Sequence, residues 1–590
     1  MTVAERVNAL RSLLHEKDIH GYIITSSDPH MSEYVPDRWK TRQWLSGFTG
    51  SAGTLVITQE NAGLWTDSRY FLQAEEQLAG SGITLYKMGT PGTPSLHQWL
   101  SKELPLNPNV GFDGFCFSVA QTRELKIQLG GLGIHIVEEY DLVNEIWTDR
   151  PELPNKLIFD HELRYSGQSR SDKLLKIRNY MKQYDCNFHF VGSLDDIAWI
   201  FNLRGSDIDY NPLALAYALI GTESATLYLC EENISNDLVK KLASEEIHIS
   251  DYSKICNDLM ELQGSSSVLL DANRTNLNIF NSISANIHER ENPSQLLKSV
   301  KNEVEIDGMK KAMNKDGVAL AQFYYWLEKN IGKTKITEFT VMKKLKEFRA
   351  LQENFKGESF GSIVGYKDHG AHPHYSTTAE TDVELKAEGL LLIDSGAQFL
   401  EGTTDITRTI PLGELNEEEK TDFTLVLKGM IQLAMAKFPK GTCGHNLDIL
   451  ARQALWNRGK NYGHGTGHGV GCFMNVHEGP QSIRQEIKDQ AILTGMITSD
   501  EPGFYRDGFY GIRHENLILC CDDETTQFGE FLRFETITLC HFETKGILPE
   551  LLTAEEKQWL NKYHKEVYDK IAPKLDEQHQ IWLLEKTKAI

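Results

Sequence analysis

Segment 461–480 concentrates residue types that can carry out chemistry. It reads NYGHGTGHGVGCFMNVHEGP, with three histidines, His464, His468 and His477, among six glycines. Imidazoles bind metals or transfer protons, and glycines allow close backbone approach. A single histidine is more often a core or surface residue than a functional one. The joint pattern, taken with the acidic segments on either side, indicates a site.

The first acidic segment is LLLIDSGAQFLEGTTDITRTIPL, residues 390–412. Asp394 and Asp405 are equidistant from a turn centred between Phe399 and Leu400. A hairpin there would place their Cβ atoms opposite each other, roughly 4.5–5.5 Å apart. Two ionised carboxylates that close repel unless a cation lies between them or one is protonated. The alternative is a pair of solvated strand ends, but an apolar run leads into Asp394, which favours a buried strand.

The second acidic segment is SDEPGFYRDGFYGIRHENLIL, residues 499–519. Glu501 and Glu515 are symmetric about Gly508 in an Arg-Asp-Gly turn, so a second hairpin could bring two carboxylates together. Arg513 would point to the same face of its strand as Glu515, since side chains alternate along a strand.

Two acidic hairpins and a histidine segment predict a metal centre. Carboxylates with one or two imidazoles suit Mn²⁺, Co²⁺, Zn²⁺ or Fe²⁺. Two metals about 3.5–4 Å apart need bridging carboxylates, and the two hairpins supply enough of them. The rival motif GESFG, centred on Ser359, lacks the strand-turn-helix context of a nucleophile elbow and is rejected.

The elements that must position these residues fall into blocks. Strands are predicted at 19–24 and 53–58, and the proline-containing stretch 148–156 is predicted to be a linker. Segments 18–34 and 185–201 share a layout of strand, Ser/Asp turn and helix start, which a duplication or chance would explain. An amphipathic stripe from about 300 predicts one long helix or two successive helices, and Thr553 is predicted to cap a C-terminal helix.

Composition excludes several classes of protein. The 590 residues carry a net charge of −22, which disfavours binding to nucleic acid or an anionic membrane surface. No signal peptide is expected, and no apolar run reaches the 18 residues that a membrane span needs. Nine cysteines without a C-x-x-C pair indicate reduced thiols and a cytoplasmic protein.

The motifs IDSGAQ, TTDITRT, GHGTGHGVG, NVHEGP, EPGFY and GIRHEN occur in this order. They resemble the metal site of the pita-bread metallopeptidases, which include methionine aminopeptidase, prolidase and aminopeptidase P. WTDSRYFLQAEEQL (65–78), NLRGSDIDYNP (202–212) and the C-terminal LTAEEKQWLNKYH (552–564) extend the likeness to three-domain Xaa-Pro aminopeptidases along essentially the whole chain.

This resemblance implies an α/β (α+β) protein with four parts. Residues 1–150 and 156–298 would form two creatinase-like α/β domains. Residues 300–545 would form a pita-bread catalytic domain, and residues 546–590 a helical C-terminal extension.

The resemblance also implies roles for individual residues. The metal ligands would be Asp394, Asp405, His468, Glu501 and Glu515, with Asp405 and Glu515 bridging two divalent metals. His374, His477 and Glu501 would be catalytic. Arg69, His374, His468, His477 and Glu501 would contact the substrate, and His464 would line the pocket. The stretch GYKDHGAHPHY before and around His374 departs from the smaller, more apolar residues expected there, which leaves the adjoining subsite open.

The implied reaction is hydrolysis of an N-terminal Xaa-Pro bond by a metal-bridging hydroxide, which releases the first residue of a peptide with proline second. Mn²⁺ is the favoured metal, with Zn²⁺ or Co²⁺ also compatible, and a homodimer is implied. Two alternatives stay open: a prolidase acting on Xaa-Pro dipeptides, and a non-catalytic peptide-binding relative.

Overall fold

Two six-stranded sheets in the N-terminal half repeat one topology. The computed structural model describes residues 1–138 and 141–590. The first sheet has the strands β1 Gly21–Ile24, β2 Thr54–Thr58, β3 Ala62–Thr66, β4 Thr84–Lys87, β5 Asn109–Gly111 and β6 His135–Val137. Its helices are α1 Val3–Glu16, α2 Thr41–Ser46, α3 Phe71–Gln77, α4 Leu96–Glu103, α5 Val119–Gly130 and α6 Leu142–Ile146. The strand order is β4-β3-β2-β1-β5-β6, in which only β1–β2 and β2–β3 are antiparallel pairs.

The next block repeats this order. Its strands are β7 Phe159–Asp160, β8 Phe188–Val191, β9 Leu203–Arg204, β10 Tyr217–Gly221, β11 Ala225–Leu229, β12 Ile247–Asp251, β13 Ser267–Leu270 and β14 Asn286–Glu289. Its helices are α7 Leu163–Ser166, α8 Arg170–Gln183, α9 Leu194–Ile200, α10 Asn236–Ala243, α11 Ile255–Met260, α12 Leu277–Asn281 and α13 Pro293–Ser299. The sheet order β12-β11-β10-β8-β13-β14 matches the first sheet strand for strand, with β8 in the place of β1.

The predicted layout of strand, turn and helix start is correct in segment 185–201 and partly wrong in segment 18–34. Both strands lie where the alignment of segments 18–34 and 185–201 puts them, and α9 follows β8. No α-helix starts directly after β1. There, Asp28 accepts hydrogen bonds from the backbone amides of His30 and Ser32 and closes a turn instead. Pro29 and Pro36 disfavour helical backbone at the residues before them.

Residues 162–167 and 295–590 form a second unit, distinct from residues 1–161 and 168–294. Its helices are α14 Glu303–Asn330, α15 Glu338–Ala350, α16 Glu417–Ala434, α17 Gly444–Trp456, α18 Ala554–Ile571 and α19 Glu577–Lys586. Its strands are β15 Phe355–Glu358, β16 Ile363–Tyr366, β17 Leu390–Ser395, β18 Ala397–Phe399, β19 Gly402–Thr403, β20 Ile406–Pro411, β21 Lys437–Pro439, β22 Gly467–Gly469, β23 Glu478–Ile483, β24 Ile497–Asp500, β25 Gly503–Arg506, β26 Tyr510–Arg513, β27 Asn516–Thr526 and β28 Gly529–Thr536.

The smaller sheet and the helices of this unit pack on a common apolar core, and the larger sheet packs on two further apolar clusters. Strands β16-β17-β20 form one antiparallel sheet, and β21-β28-β27-β24-β22-β23 form a larger one. The core draws on α14, α15, α16 and both C-terminal helices. The stripe near residue 300 is one helix, α14. As predicted, Thr553 caps α18 in a capping box with Glu556.

In the described part of the chain, no helix combines the length and hydrophobicity needed to cross a bilayer. All nine cysteines lie in that part and are thiols rather than disulfides.

Candidate metal centre

The Glu501–Glu515 hairpin has the predicted register. Gly503 pairs with Arg513 in β25–β26, and Asp500 pairs with Asn516 in β24–β27. Glu501 and Glu515 therefore occupy opposed positions between these two ladders. Gly508 at the turn has φ +71°, a left-handed conformation that glycine adopts without steric cost.

The Asp394–Asp405 hairpin differs from the prediction in its register. Asp394 pairs with Thr407, so Asp405 lies diagonal to it rather than opposite. The cause is the turn, since Phe399 pairs with Gly402 and the loop is centred one residue later than equal spacing suggested. The two carboxylates still interact, because Asp405 raises the pKa of Asp394 by charge repulsion.

His468 faces these carboxylates from the middle of β22. Its Nε2 lies 3.5 Å from Asp405 Oδ2 and 3.4 Å from Glu501 Oε1. Its Nδ1 is 2.9 Å from the Gly469 carbonyl oxygen, an acceptor that fixes the tautomer and leaves Nε2 with a lone pair toward the carboxylates. Metal-binding histidines commonly have this arrangement. Ligand atoms of Asp405, His468 and Glu515 all lie within 4.8 Å of one another.

The glycines beside His468 are required by the neighbouring strands. A Cβ atom on Gly467 would lie 1.9 Å from the Ser499 carbonyl oxygen, and one on Gly469 would lie 2.4 Å from that of Glu478. Both are far inside van der Waals contact. The glycines therefore let β22 lie between β23 and β24, and so position the His468 ring.

Burial shifts three of these carboxylates toward their protonated forms. Burial raises the pKa of Asp394, that of Glu501 to about 7, and that of Glu515 well above its usual value. Repulsion among the acidic groups adds to all three. Neither Asp394 Oδ1 nor Glu515 Oε1, although buried, has a hydrogen-bond partner among the described residues. A buried polar atom that lacks a partner is costly, and divalent cations would satisfy both oxygens.

Arg513 connects the carboxylates to one another. Its Nη2 donates to Asp394 Oδ2 at 2.5 Å, and its Nε donates to Thr407 Oγ1 at 3.1 Å. The Thr407 hydroxyl in turn donates to Glu515 Oε2 at 2.8 Å. Sequence analysis placed Arg513 on the face of Glu515 but missed Thr407. The two-residue spacing from Asp405 to Thr407 along an extended segment was the available signal.

His464 belongs to the same hydrogen-bond chain. Its Nε2 lies 2.8 Å from the Tyr505 hydroxyl, which also accepts a 2.6 Å hydrogen bond from Arg513 Nη1. The Tyr505 hydroxyl can then donate to His464. Sequence analysis also missed Tyr505, because nothing in its spacing relates it to His464, 41 positions earlier.

Of the two other predicted histidines, His477 contacts His468, and His374 follows a turn that packs on β26. His477 immediately precedes β23, and its ring centroid is 4.3 Å from that of His468, at an interplanar angle of 84°. His374 follows a short 3-10 turn, residues 367–371, that packs on β26 through Gly370 and Gly511. A Cβ atom on Gly511 would lie only 1.6 Å from the Gly370 carbonyl oxygen.

Arg69 lies in the first unit, shortly after β3. Its guanidinium forms two 2.8 Å hydrogen bonds with the carboxylate of Asp67. Its predicted contact with substrate stays a prediction.

Comparison with known proteins agrees with this architecture. Residues 6–144 and 149–305 each match the family described as creatinase/prolidase N-terminal domain. Residues 307–522 match metallopeptidase family M24, and residues 530–590 match the C-terminal region of that family. These matches confirm the predicted fold class, two creatinase-like domains followed by a pita-bread domain.

Full-length relatives were also found. Aminopeptidase P2 of Arabidopsis thaliana is 38% identical, over 100% of this chain and 89% of its own length. Xaa-Pro aminopeptidase 1 of Dictyostelium discoideum is 38% identical, over 100% and 97%. The crystal structure of X-prolyl aminopeptidase from Caenorhabditis elegans, described as a cytosolic enzyme with a di-nuclear active site, superposes with a TM-score of 0.95 at 33% identity and covers both chains completely.

Proposed function

Because this chain belongs to the Xaa-Pro aminopeptidases of metallopeptidase family M24, which are metalloaminopeptidases that cleave Xaa-Pro bonds, we propose that its active centre is the cluster around His468. The proposed ligands of two divalent metals are Asp394, Asp405, His468, Glu501 and Glu515, with Asp405 and Glu515 shared by both. The observation that carries this proposal is the pair of buried carboxylate oxygens, on Asp394 and Glu515, without partners in the described structure.

The proposed chemistry divides between the metals and the protein. Bound divalent metals supply an acidified water and polarise the scissile carbonyl. Glu501, whose carboxyl pKa burial raises to about 7, would accept a proton while it also ligates. His477 and His374 would bind the substrate carbonyl and aid departure of the proline nitrogen. That nitrogen belongs to a tertiary amide without an N–H, so it must gain its proton during cleavage.

Chelation and reconstitution test the function directly. The protein is stripped with chelator, restored with Mn²⁺ and incubated with an Xaa-Pro-Pro tripeptide, an Xaa-Pro dipeptide and an Xaa-Ala-Pro control. Mass spectrometry should detect metal-dependent release of the first residue from Xaa-Pro-Pro alone. Cleavage of the dipeptide alone would move the assignment to prolidase, and inertness with two bound metals would favour a non-catalytic binder.

Metal, assembly and location are further parts of the proposal. We propose Mn²⁺ as the native metal on its suitability for a carboxylate-rich site, with Zn²⁺ or Co²⁺ as the other candidates. We propose a homodimer, as the family resemblance implies. A cytoplasmic location is supported by nine cysteines without a disulfide and by the relative described as cytosolic.

The stability of the metal-free protein should depend on pH in a defined direction. The pKa of Glu501 rises from 4.5 to about 7 on folding. The stability that proton binding to Glu501 contributes is fully present below about pH 4.5 and is lost as the pH rises through about 7. Bound metal keeps the carboxylates ionised and removes this loss. The gain in Tm on adding Mn²⁺ should therefore grow between about pH 5 and about pH 8, with release of protons. Thermal unfolding of both forms measures it, and a gain independent of pH would contradict it.

Tyr375 is predicted to hold the segment that carries His374. The fully buried carboxylate of Glu338 accepts hydrogen bonds from the Tyr375 hydroxyl at 3.1 Å and the Tyr366 amide at 2.8 Å. It also contacts His369 Nδ1 at 2.9 Å. Losing one such hydrogen bond costs on the order of 1 kcal/mol. Tyr375→Phe should therefore lower kcat/KM about fivefold in Xaa-Pro-Pro hydrolysis.

The control for this prediction is Tyr568→Phe, which alters a partly exposed tyrosine on α18 and should leave kcat/KM unchanged. Equal kcat/KM for Tyr375→Phe and the unmodified protein would mean that the Glu338 contact does not set the position of His374.

A further inference from the structure

Arg408 is a buried side chain that joins the strands beside two proposed bridging carboxylates. Its Nη1 donates to the carbonyl oxygens of Glu515 at 2.6 Å and Thr407 at 3.0 Å. Its Nη2 donates at 2.8 Å to Asn516 Oδ1. Thr407 lies two residues after Asp405, so one guanidinium connects the backbone next to both carboxylates. A change in its position would move both ligands.

The other side of this guanidinium is held by the backbone of the segment that follows β28. Arg408 Nη2 donates to the Cys540 carbonyl oxygen at 2.8 Å, and Nε donates to that of His541 at 3.0 Å. The ring of Phe542 lies beneath it, with its centroid 3.8 Å from Cζ. Arg408 is 1% exposed, so water does not replace an acceptor that its guanidinium loses.

Tyr563 brings the C-terminal helix α18 into this network. Its hydroxyl lies 3.1 Å from Arg408 Nη2, whose two protons are shared among this hydroxyl, Asn516 Oδ1 and the Cys540 carbonyl oxygen. The hydroxyl also accepts a hydrogen bond from the Cys540 amide at 3.3 Å. Its one proton lies between the carbonyl oxygens of Cys540, at 2.8 Å, and Thr538, at 3.0 Å. The indole of Trp559, one turn earlier, stacks on the Tyr563 ring with centroids 5.2 Å apart. The hydroxyl is thus fixed from both sides.

We propose that Tyr563 is a positioning residue through which the C-terminal helix fixes the geometry of the metal centre. This inference rests on the proposed function, because it takes Asp405 and Glu515 to be metal ligands. Tyr563 orients Arg408, and Arg408 fixes the separation of the two backbone segments that carry those ligands. Metal sites require ligand placement to about 0.5 Å, and loss of an outer hydrogen-bond partner weakens metal binding about 10–100-fold.

The test compares Tyr563→Phe with Tyr568→Phe in the full-length protein. Both remove one hydroxyl from α18, but the Tyr568 hydroxyl has no hydrogen bond to a described residue. The dissociation constant for Mn²⁺ is measured by competition with a fluorescent chelator, and kcat and KM are measured on Xaa-Pro-Pro. Tyr563→Phe should bind Mn²⁺ about tenfold more weakly, lower kcat at limiting Mn²⁺ with KM unchanged, and recover activity in excess Mn²⁺. Tyr568→Phe should match the unmodified protein.

A merely structural role gives a different result. Tyr563→Phe would then lower the Tm of the metal-free protein while its Mn²⁺ affinity stayed within twofold of the unmodified protein, and the inference would be overturned. If Tyr563→Phe does not fold, Phe542→Leu, which removes the ring beneath the guanidinium, tests whether the position of Arg408 sets the Mn²⁺ affinity, and an unchanged affinity would overturn the inference.

The proposed function and this inference can fail separately. If Tyr563→Phe binds Mn²⁺ more weakly but the unmodified protein cleaves no Xaa-Pro peptide, the inference stands and the proposed substrate class is refuted. An unmodified protein that binds no Mn²⁺, Zn²⁺ or Co²⁺ would overturn both. Normal cleavage and normal metal affinity in Tyr563→Phe would refute the inference alone.

Discussion

Asp405→Asn is expected to reduce Xaa-Pro-Pro hydrolysis by at least about a thousandfold, because it removes a carboxylate proposed to bridge both metals. An amide can still occupy the space but cannot supply a negative charge to each cation. Outer hydrogen-bond partners of a metal site typically contribute about 10–100-fold, and a bridging ligand should contribute more. Elemental analysis of the purified variant should find less than the two metals per chain expected of the unmodified protein.

The matched control is Asp507→Asn, which makes the same change at an exposed turn position of the β25–β26 hairpin. It should keep both metals and full activity. Two tightly bound metals in Asp405→Asn would exclude Asp405 as a bridging ligand, whatever the activity. Loss of activity with both metals retained would assign it a role in substrate turnover instead.

Local symmetry was enough to predict one of the two hairpins. Glu501 and Glu515 flank a turn at Gly508, where a positive φ marks the reversal, and the register follows. The stretch between Asp394 and Asp405 offers no comparable marker at the centre of its turn. Its glycine, Gly402, directly follows the two-residue loop, so equal spacing placed the turn centre one residue too early and paired Asp394 two residues away from its true partner.

The site contacts that could not be predicted from the sequence join residues that are far apart in the chain. The chain Asp394–Arg513–Tyr505–His464 joins three segments, and each of its hydrogen bonds depends on how the strands pack. The C-terminal helix was predicted from its cap and apolar face. Its contact with Arg408 depends on one hydroxyl, Tyr563, more than 150 residues away in sequence. Propensity and periodicity carry no information about such pairs.

The glycines beside His468 have a role in strand packing that was not predicted. Glycines were expected to allow close approach to metals or substrate. In the structure, those beside His468 allow close approach of the adjacent strand backbones at Ser499 and Glu478, and the expected approach to metals or substrate stays a prediction. Because strand packing of this kind fixes the direction of the imidazole, these glycines serve the proposed metal centre through the sheet.

His477→Ala is expected to keep both metals and lower kcat by about a hundredfold to ten-thousandfold, the usual range for a general acid–base group. The His477 ring lies edge to face with that of His468, at 4.3 Å between centroids, so it adjoins the centre without being a proposed ligand. A loss confined to kcat, with KM nearly constant, would indicate an interaction made mainly in the transition state. The control is His248→Ala, which removes an exposed imidazole of the first unit and should change nothing.

His477→Gln separates two possible roles of this side chain. Glutamine can donate a hydrogen bond to a developing oxyanion but cannot transfer a proton at neutral pH. Recovery of most of the activity lost in His477→Ala would assign His477 to oxyanion stabilisation, and little recovery would assign it to proton transfer to the proline nitrogen. Loss of a metal in either variant would contradict the proposed ligand set. Because that nitrogen begins as a tertiary amide and must gain a proton to leave, we expect glutamine to restore little.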